Sequence, residues 1–281
     1  ERIPNIFSLS GTISGRASVQ GNAAGIESVS GDAEGTDVSY DGISAGHVSA
    51  LLNKEAGGIW HIAFDGTSVS ARGAEAEAIQ GYAEGDGDHW TISYLNGKSG
   101  DGAFSLSGSY EDGSVDLFLR MGQADLGEFA GLAGVSAQGR ISLNAEIRGP
   151  LDAPAFSGSF HAEDGNIRGM HFDSADGELE SDGTTLTISS LRWREGPGYH
   201  DIRGTVGIRG DHALHLTAET EKMRIENLMA AADTNLPVTG WLSNRMTVSG
   251  TLSNPELSGT VHVWDGSILG ELFENGTAQY R

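Results

Sequence analysis

The stretch Gly139-Arg140-Ile141-Ser142-Leu143-Asn144-Ala145-Glu146-Ile147-Arg148-Gly149 decides the reading of the fold. Ile141, Leu143, Ala145 and Ile147 alternate with polar neighbours. A period of two sends alternate side chains to opposite faces, so the segment reads as a half-buried strand with one apolar side. The pattern returns 101 residues later. Gly139, Gly149, Pro154, Gly158, Asp164, Gly165, Ile167 and Gly169 recur as Gly240, Gly250, Pro255, Gly259, Asp265, Gly266, Ile268 and Gly270. Spacing kept without an insertion says that one supersecondary unit is used at least twice, end to end. The repeated markers shape a surface and contain no nucleophile or metal-ligand set.

The same alternation extends outward. Val115, Leu117, Leu119 and Met121 form another set. Shorter ones are Trp60/Ile62/Phe64, Trp90/Ile92/Tyr94, Phe104/Leu106, Leu186/Ile188, Leu214/Leu216 and Val261/Val263. Asn-Gly and Asp-Gly pairs supply the positive φ of tight hairpins. They stand at Asp41-Gly42, Asp65-Gly66, Asn96-Gly97, Asp112-Gly113, Asp164-Gly165, Asp182-Gly183 and Asp265-Gly266. Together these features predict an all-β antiparallel meander. Asp125–Leu132 and Arg224–Ala232 lack alternation and carry apolar residues at helical spacing, which predicts two short helices capping the sheet. Gly127 and Gly131 weaken the first. A looser third copy covers Gly15–Gly21 and Val29–Gly35. No linker-like stretch separates the units. The expected organisation is one elongated body over 1–281: a divergent unit to about 120, a repeat unit over 121–222, and the start of the next over 223–281.

Composition narrows the function. The net charge is 17 − 39 = −22, so nucleic acid is excluded as a partner, because phosphate binding requires Lys and Arg to displace counterions. Direct docking on an anionic membrane surface is disfavoured for the same reason. Hydrophobic content is 38%, enough for a lean core. The chain has no cysteine, hence no disulfide framework and no thiolate metal site. No apolar run approaches the ~20 residues that span a bilayer. Glu1-Arg2-Ile3-Pro4 shows no leader pattern, and the chain reads as an interior piece of a longer protein.

The catalytic and ligand constellations are thin. His212 and His215, with Asp211, stand at a spacing that a strand places on opposite faces. Glu84-Gly85-Asp86-Gly87-Asp88 lacks the later bidentate Glu of a calcium loop. Glu178/Glu180 is one carboxylate pair among 39 acidic residues. Asn275-Gly276-Thr277 matches a glycosylation sequon. Trp60, Trp90, Trp193, Trp241 and Trp264 read as rim anchors with the indole N–H toward water. No nucleophile elbow or phosphate loop is present. We expect no enzyme activity, no cofactor and no metal.

Ser249-Gly250-Thr251-Leu252-Ser253-Asn254-Pro255-Glu256-Leu257-Ser258-Gly259-Thr260-Val261, followed by Asp265-Gly266-Ser267-Ile268, resembles the repeat signature of the TamB family. These are AsmA-like bridge-type lipid carriers of the envelope of bacteria with two membranes. Arg148–Gly158 is a second copy, departing at Pro150 and Asp152. The match covers about 120–281 and fades over 1–119. The resemblance implies an elongated, curled antiparallel sheet forming an open hydrophobic trough (a β-taco). It also implies periplasmic placement, an inner-membrane anchor elsewhere in the full protein, and an outer-membrane β-barrel partner.

A trough of this kind would shelter phospholipid acyl chains. Leaving about sixteen carbons in water costs on the order of 12 kcal/mol, at ~0.8 kcal/mol per CH₂. A carrier therefore needs a continuous apolar floor. The expected lining is Ile141, Leu143, Ile147, Phe156, Phe160, Leu186, Ile188, Leu214, Leu216, Met246, Val248, Leu252, Leu257, Val261 and Val263. In a closed β-sandwich the same residues would be core, and alternation alone fits both. Two functional alternatives also remain at this point: an assembly factor for outer-membrane β-barrel proteins, acting through a sheet edge, and a surface β-solenoid adhesin.

Overall fold

The structure is a computed structural model that describes residues 9–23, 25–71, 74–127, 136–167, 170–231 and 236–281. The chain divides into two compact units, Glu1–Gly134 with Glu146–Leu151, and Val135–Ala145 with Asp152–Arg281. The first holds β1 (Ser10–Asn22), β2 (Gly25–Tyr40), β3 (Ile43–Glu55), β4 (Trp60–Ala71), β5 (Ala74–Asp86), β6 (His89–Ser99), β7 (Gly102–Glu111) and β8 (Ser114–Asp125). β9 (Ala137–Pro150) contributes residues to both. The second continues with β10 (Ala155–Ile167), β11 (Met170–Ser181), β12 (Thr185–Glu195), β13 (Gly198–Gly207) and β14 (Leu214–Arg224). After helix α1 (Ile225–Ala231) come β15 (Val238–Thr251), β16 (Asn254–Ile268) and β17 (Glu271–Tyr280). The fold is all-β: an open, curled antiparallel sheet of 17 strands. The registered ladders join sequence neighbours, as short turns between alternating segments require. β1 is registered with β2 and β17 with β16, and the sheet is not closed into a barrel.

Register sorts the side chains of the first unit by polarity. Ala17 pairs with Gly31, Gly31 with Leu52, and Leu52 with Ile62. Ile62 continues to Ala83, and Leu95 to Leu106 and Leu119. The opposite face carries Arg16 beside Asp32, Ser49 hydrogen-bonded to Asp65, and His61 beside Glu84. Tyr94 corrects one alternating set. The register shifts between Tyr82 and Ala83 opposite Tyr94 and Ile92, so Tyr94 joins Tyr82 on the polar face. Leu95 takes the apolar place instead.

The Asp-Gly pairs divide into two kinds. Asp41-Gly42, Asp112-Gly113 and Asp182-Gly183 lie between strands, as expected. Asp65-Gly66, Asn96-Gly97, Asp164-Gly165 and Asp265-Gly266 lie inside β4, β6, β10 and β16, so the hairpins expected there do not form. Positive φ is used at two of these sites for a bulge rather than a turn. Asp164 and Asp265 adopt φ of 48° and 49°. A Cβ at the facing glycine, Gly139 or Gly240, would strike the backbone of Gly165 or Gly266. A bulge bends its strand and increases the local twist, which supplies curl. Asp37 (φ 51°) opposite Gly11 repeats the arrangement between β1 and β2, and Lys222 (φ 54°) opposite Gly198 repeats it in β14.

A second device is a ring laid over a cross-strand glycine. Phe64 faces Gly81, Phe104 faces Gly97, Phe160 faces Gly177, Phe172 faces Gly165 and Phe273 faces Gly266. In each pair the ring occupies the space a Cβ would need. Phe172 and Phe273 are themselves 101 residues apart, a repeat position that the glycine markers did not reveal. Phe172 is 0% exposed.

α1 covers one end of the second unit's apolar face. Ile225 and Met229 stand four residues apart, on one helix side. Ile225 clusters with Met223 and Leu242, and Met229, Val238, Val261, Val263 and Phe273 pack against that cluster. Glu226, in the positive first turn, accepts from Gly240 N–H at 3.3 Å. The Asn227 amide donates to Glu195. The expected span Arg224–Ala232 is observed as Ile225–Ala231. Of the expected helix Asp125–Leu132, residues 128–132 lie outside the described residues.

Candidate functional site

The apolar face of β9–β17 gathers most of the side chains that the sequence nominates. Phe160 faces Gly177, and Gly158 faces Leu179. Leu179 leads to Ile188, Ser181 to Leu186, and these to Gly204 and Val206. Gly204 and Val206 lead to Leu216 and Leu214, and Leu216 to Val248. Val248 then faces Leu257, Asn244 faces Val261, and Leu242 faces Val263. Phe156 and Met246 lie in the same ladders. On β9, Ala145 lies against the Gly158 position, and alternation puts Ile141, Leu143 and Ile147 on its side. Leu252 is the exception. It stands in the turn between β15 and β16, 58% exposed, with its N–H bonded to the His212 carbonyl. The strand stops short of it, and Asn254 N–H caps on Thr251 Oγ1 at 3.2 Å.

Burial separates an open face from a sandwich core. A core side chain in close-packed protein is enclosed on every side. Of the nominated residues, Leu214 is buried at 5% exposure, Leu257 is 46% exposed, and the others on the strands are half-buried. In the second unit a cluster of enclosed apolar groups stands at the α1 end, formed by Met223, Ile225 and Leu242. Among the described residues, most side chains on this face are therefore only partly enclosed.

The opposite face is ionic. Arg192 bonds Asp201 at 2.7 Å, Arg245 bonds Glu219 at 2.7 Å, and Arg140 bonds Asp164 at 2.9 Å. His161 lies between Asp176 (2.7 Å) and Glu163 (3.1 Å), whose hydrogen bonds hold its pKa above the ordinary value. Asp201 is held below the usual carboxylate range by the Arg192 hydrogen bond. A shallow depression is lined by Glu219, Glu221, Ser243, Arg245 and His262 together with Asn244, Met246 and Tyr280.

The remaining nominated groups do not converge. His212 sits in the turn before β14, while His215 is on the strand. Glu178 and Glu180 point from β11 to the polar face, paired with Ser159 and Ser157. His89, Glu111 and Asp112 bring ligand atoms within 4.8 Å of one another, but all three are exposed. Two of the tryptophans depart from the rim-anchor expectation. Trp90 donates its indole N–H to Gly87 O and Trp193 to His171 O, both at 3.0 Å. Trp60 lies under Lys54 and Trp241 under Arg224.

Sequence reading missed one group on the apolar face itself: His200, Thr220, Asn244 and Tyr280. His200 Nδ1 and Thr220 Oγ1 are 2.8 Å apart, and the Tyr280 hydroxyl donates to Asn244 Oδ1 at 3.0 Å. Burial lowers the His200 pKa. Comparing the two copies would have found it, because Asn244 and Tyr280 occupy the places of Leu143 and Leu179. Comparison with known proteins finds no matching family model, no matching characterised protein and no matching solved structure.

Proposed function

We propose that the chain is a segment of a bridge-like lipid carrier that shields phospholipid acyl chains between the two membranes of a bacterial envelope, in the periplasm. One observation carries this reading. The strand register collects Phe156, Phe160, Ile188, Leu216, Val248 and Leu257 on one face, and among the described residues these side chains are only partly enclosed. Isolated exposed apolar residues are ordinary, but a contiguous apolar surface marks a site for apolar partners. The strongly acidic, ion-paired reverse face keeps such a surface in solution. The resemblance of the Gly-Thr-Leu-Ser-Asn-Pro-Glu-Leu-Ser-Gly segment to TamB repeats supports the lipid and the compartment. The reading assigns no chemical step to the chain, which serves outer-membrane biogenesis by transport and not as an enzyme. A membrane anchor and an outer-membrane β-barrel partner belong to the same proposal.

The test is a charge placed on the floor. Leu143→Arg or Val261→Asp should abolish co-purifying phospholipid, measured by mass spectrometry of the extracted protein. Sheet content should remain unchanged. Retention of lipid by both variants would refute the reading. A second reading has its own observation: every residue of β1 is exposed, and among the described residues its registered ladder is the one with β2. A free edge can template an incoming strand, the action expected of a β-barrel assembly factor. Crosslinks from β1 to a nascent barrel, without lipid on the floor, would favour it.

A further inference from the structure

One row breaks the apolar pattern of the second unit. Trp193 on β12 faces His200 on β13, His200 faces Thr220 on β14, and Thr220 faces Asn244 on β15. Tyr280 reaches the same place from β17 through its hydroxyl. Apolar positions flank the row on both sides, with Ile202, Ala218 and Met246 on one and Met223 and Leu242 on the other. A polar group beside hydrocarbon costs stability unless it is hydrogen-bonded, and Thr220 is 6% exposed.

The internal bonds do not use all of this capacity. With Nδ1 engaged by Thr220, His200 keeps Nε2, and with its oxygen engaged by Tyr280, Asn244 keeps the two N–H donors of its amide. Burial lowers the His200 pKa and so favours the neutral imidazole. The sheet does not require these residues. The first copy builds the same β-ladder with Leu143 and Leu179 where the second has Asn244 and Tyr280. Apolar walls around a few convergent polar groups are the usual make-up of a ligand site.

We propose that His200, Thr220, Asn244 and Tyr280 form a polar subsite on the floor that hydrogen-bonds the carbonyl oxygen of an acyl group. The hydrocarbon of that group lies along the flanking apolar rows. The inference rests on the lipid-carrier reading and adds where the chain's oxygen end stops. A free fatty acid, as its carboxylate, and a glycerolipid ester both present an acyl oxygen that accepts hydrogen bonds.

The experiment uses the full chain and three probes: hexadecane, palmitate and dipalmitoylphosphatidylglycerol, each displacing the fluorophore N-phenylnaphthylamine. Asn244→Leu with Tyr280→Leu installs the residues of the first copy, and Thr220→Val is the second, isosteric variant. The wild type should bind all three probes. Each variant should keep its hexadecane affinity and lose about tenfold for the carbonyl-bearing probes, equivalent to ~1.4 kcal/mol. Loss for palmitate alone assigns the subsite to a free acid, and loss for both assigns it to the shared acyl carbonyl. Unchanged affinity for both, with hexadecane still bound, overturns the subsite and leaves the carrier reading standing. A wild type that binds no hexadecane overturns the carrier reading and the subsite with it.

Discussion

At the scale of single residues, glycine and its cross-strand aromatic partner set the stability of the sheet. The Phe172 ring fills the space above Gly165, so Gly165→Val should overpack that contact. Forced core methyls typically cost 1–3 kcal/mol. Phe172→Ala should cost about 3–5 kcal/mol, since it empties a fully enclosed site. Urea unfolding monitored by circular dichroism reads both, and a loss below about 0.5 kcal/mol for either would contradict the packing. His161 predicts a pH effect. Its folded pKa is raised above 6.5 by Asp176 and then Glu163, so its stabilising contribution is complete below that value. The contribution disappears as pH rises through the folded pKa. The ratio of wild-type to His161→Gln stability should therefore fall between mildly acidic and alkaline pH. A ratio independent of pH would remove the ion-paired histidine from the account. His200 has the opposite sign: burial lowers its pKa, so its contribution is complete above 6.5 and lost on acidification.

At the scale of elements, alternation was a reliable guide where no bulge intervenes, as in β9 and in β16 up to Val263. It failed where an extra residue shifts the phase, as at Ser93 between Ile92 and Tyr94. The Asp-Gly signal was ambiguous for a physical reason: a tight turn and a bulge ask for the same positive φ. Asp112-Gly113 and Asp265-Gly266 look alike in sequence, yet one ends a strand and the other bends one. What separates them is the facing Gly240, a partner on another strand that local reading does not identify. α1 was legible from Ile225, Leu228 and Met229 at helical spacing, although seven residues are too few for an independently stable helix. Its order comes from packing on Met223 and Leu242, so Ile225→Asp should detach it. The expected result is increased binding of an apolar dye with strand content retained. Unaltered dye binding would show that α1 does not cover the face.

At the scale of the whole molecule, a shared apolar face was legible as a set of side chains but its exposure was not. A sandwich core and an uncovered floor share one pattern of alternation, and only the solvent exposure of Leu257 and its neighbours separates them. The polar row of His200, Thr220 and Asn244 escaped notice because its members come from three strands and meet only through register. The charge of −22 accompanies an apolar face that would otherwise promote association. Neutralising the acidic reverse face should lower solubility, while added salt should leave acyl binding nearly unchanged, because exposed ion pairs are screened and hydrocarbon burial is not. The most direct test places a photo-crosslinking amino acid at neighbouring positions that point to opposite faces, Leu143 against Ser142 and Val261 against Thr260, in cells carrying labelled phospholipid. Lipid adducts at Leu143 and Val261 with none at Ser142 and Thr260 are the predicted result, and adducts at neither face, or equally at both, would contradict the account.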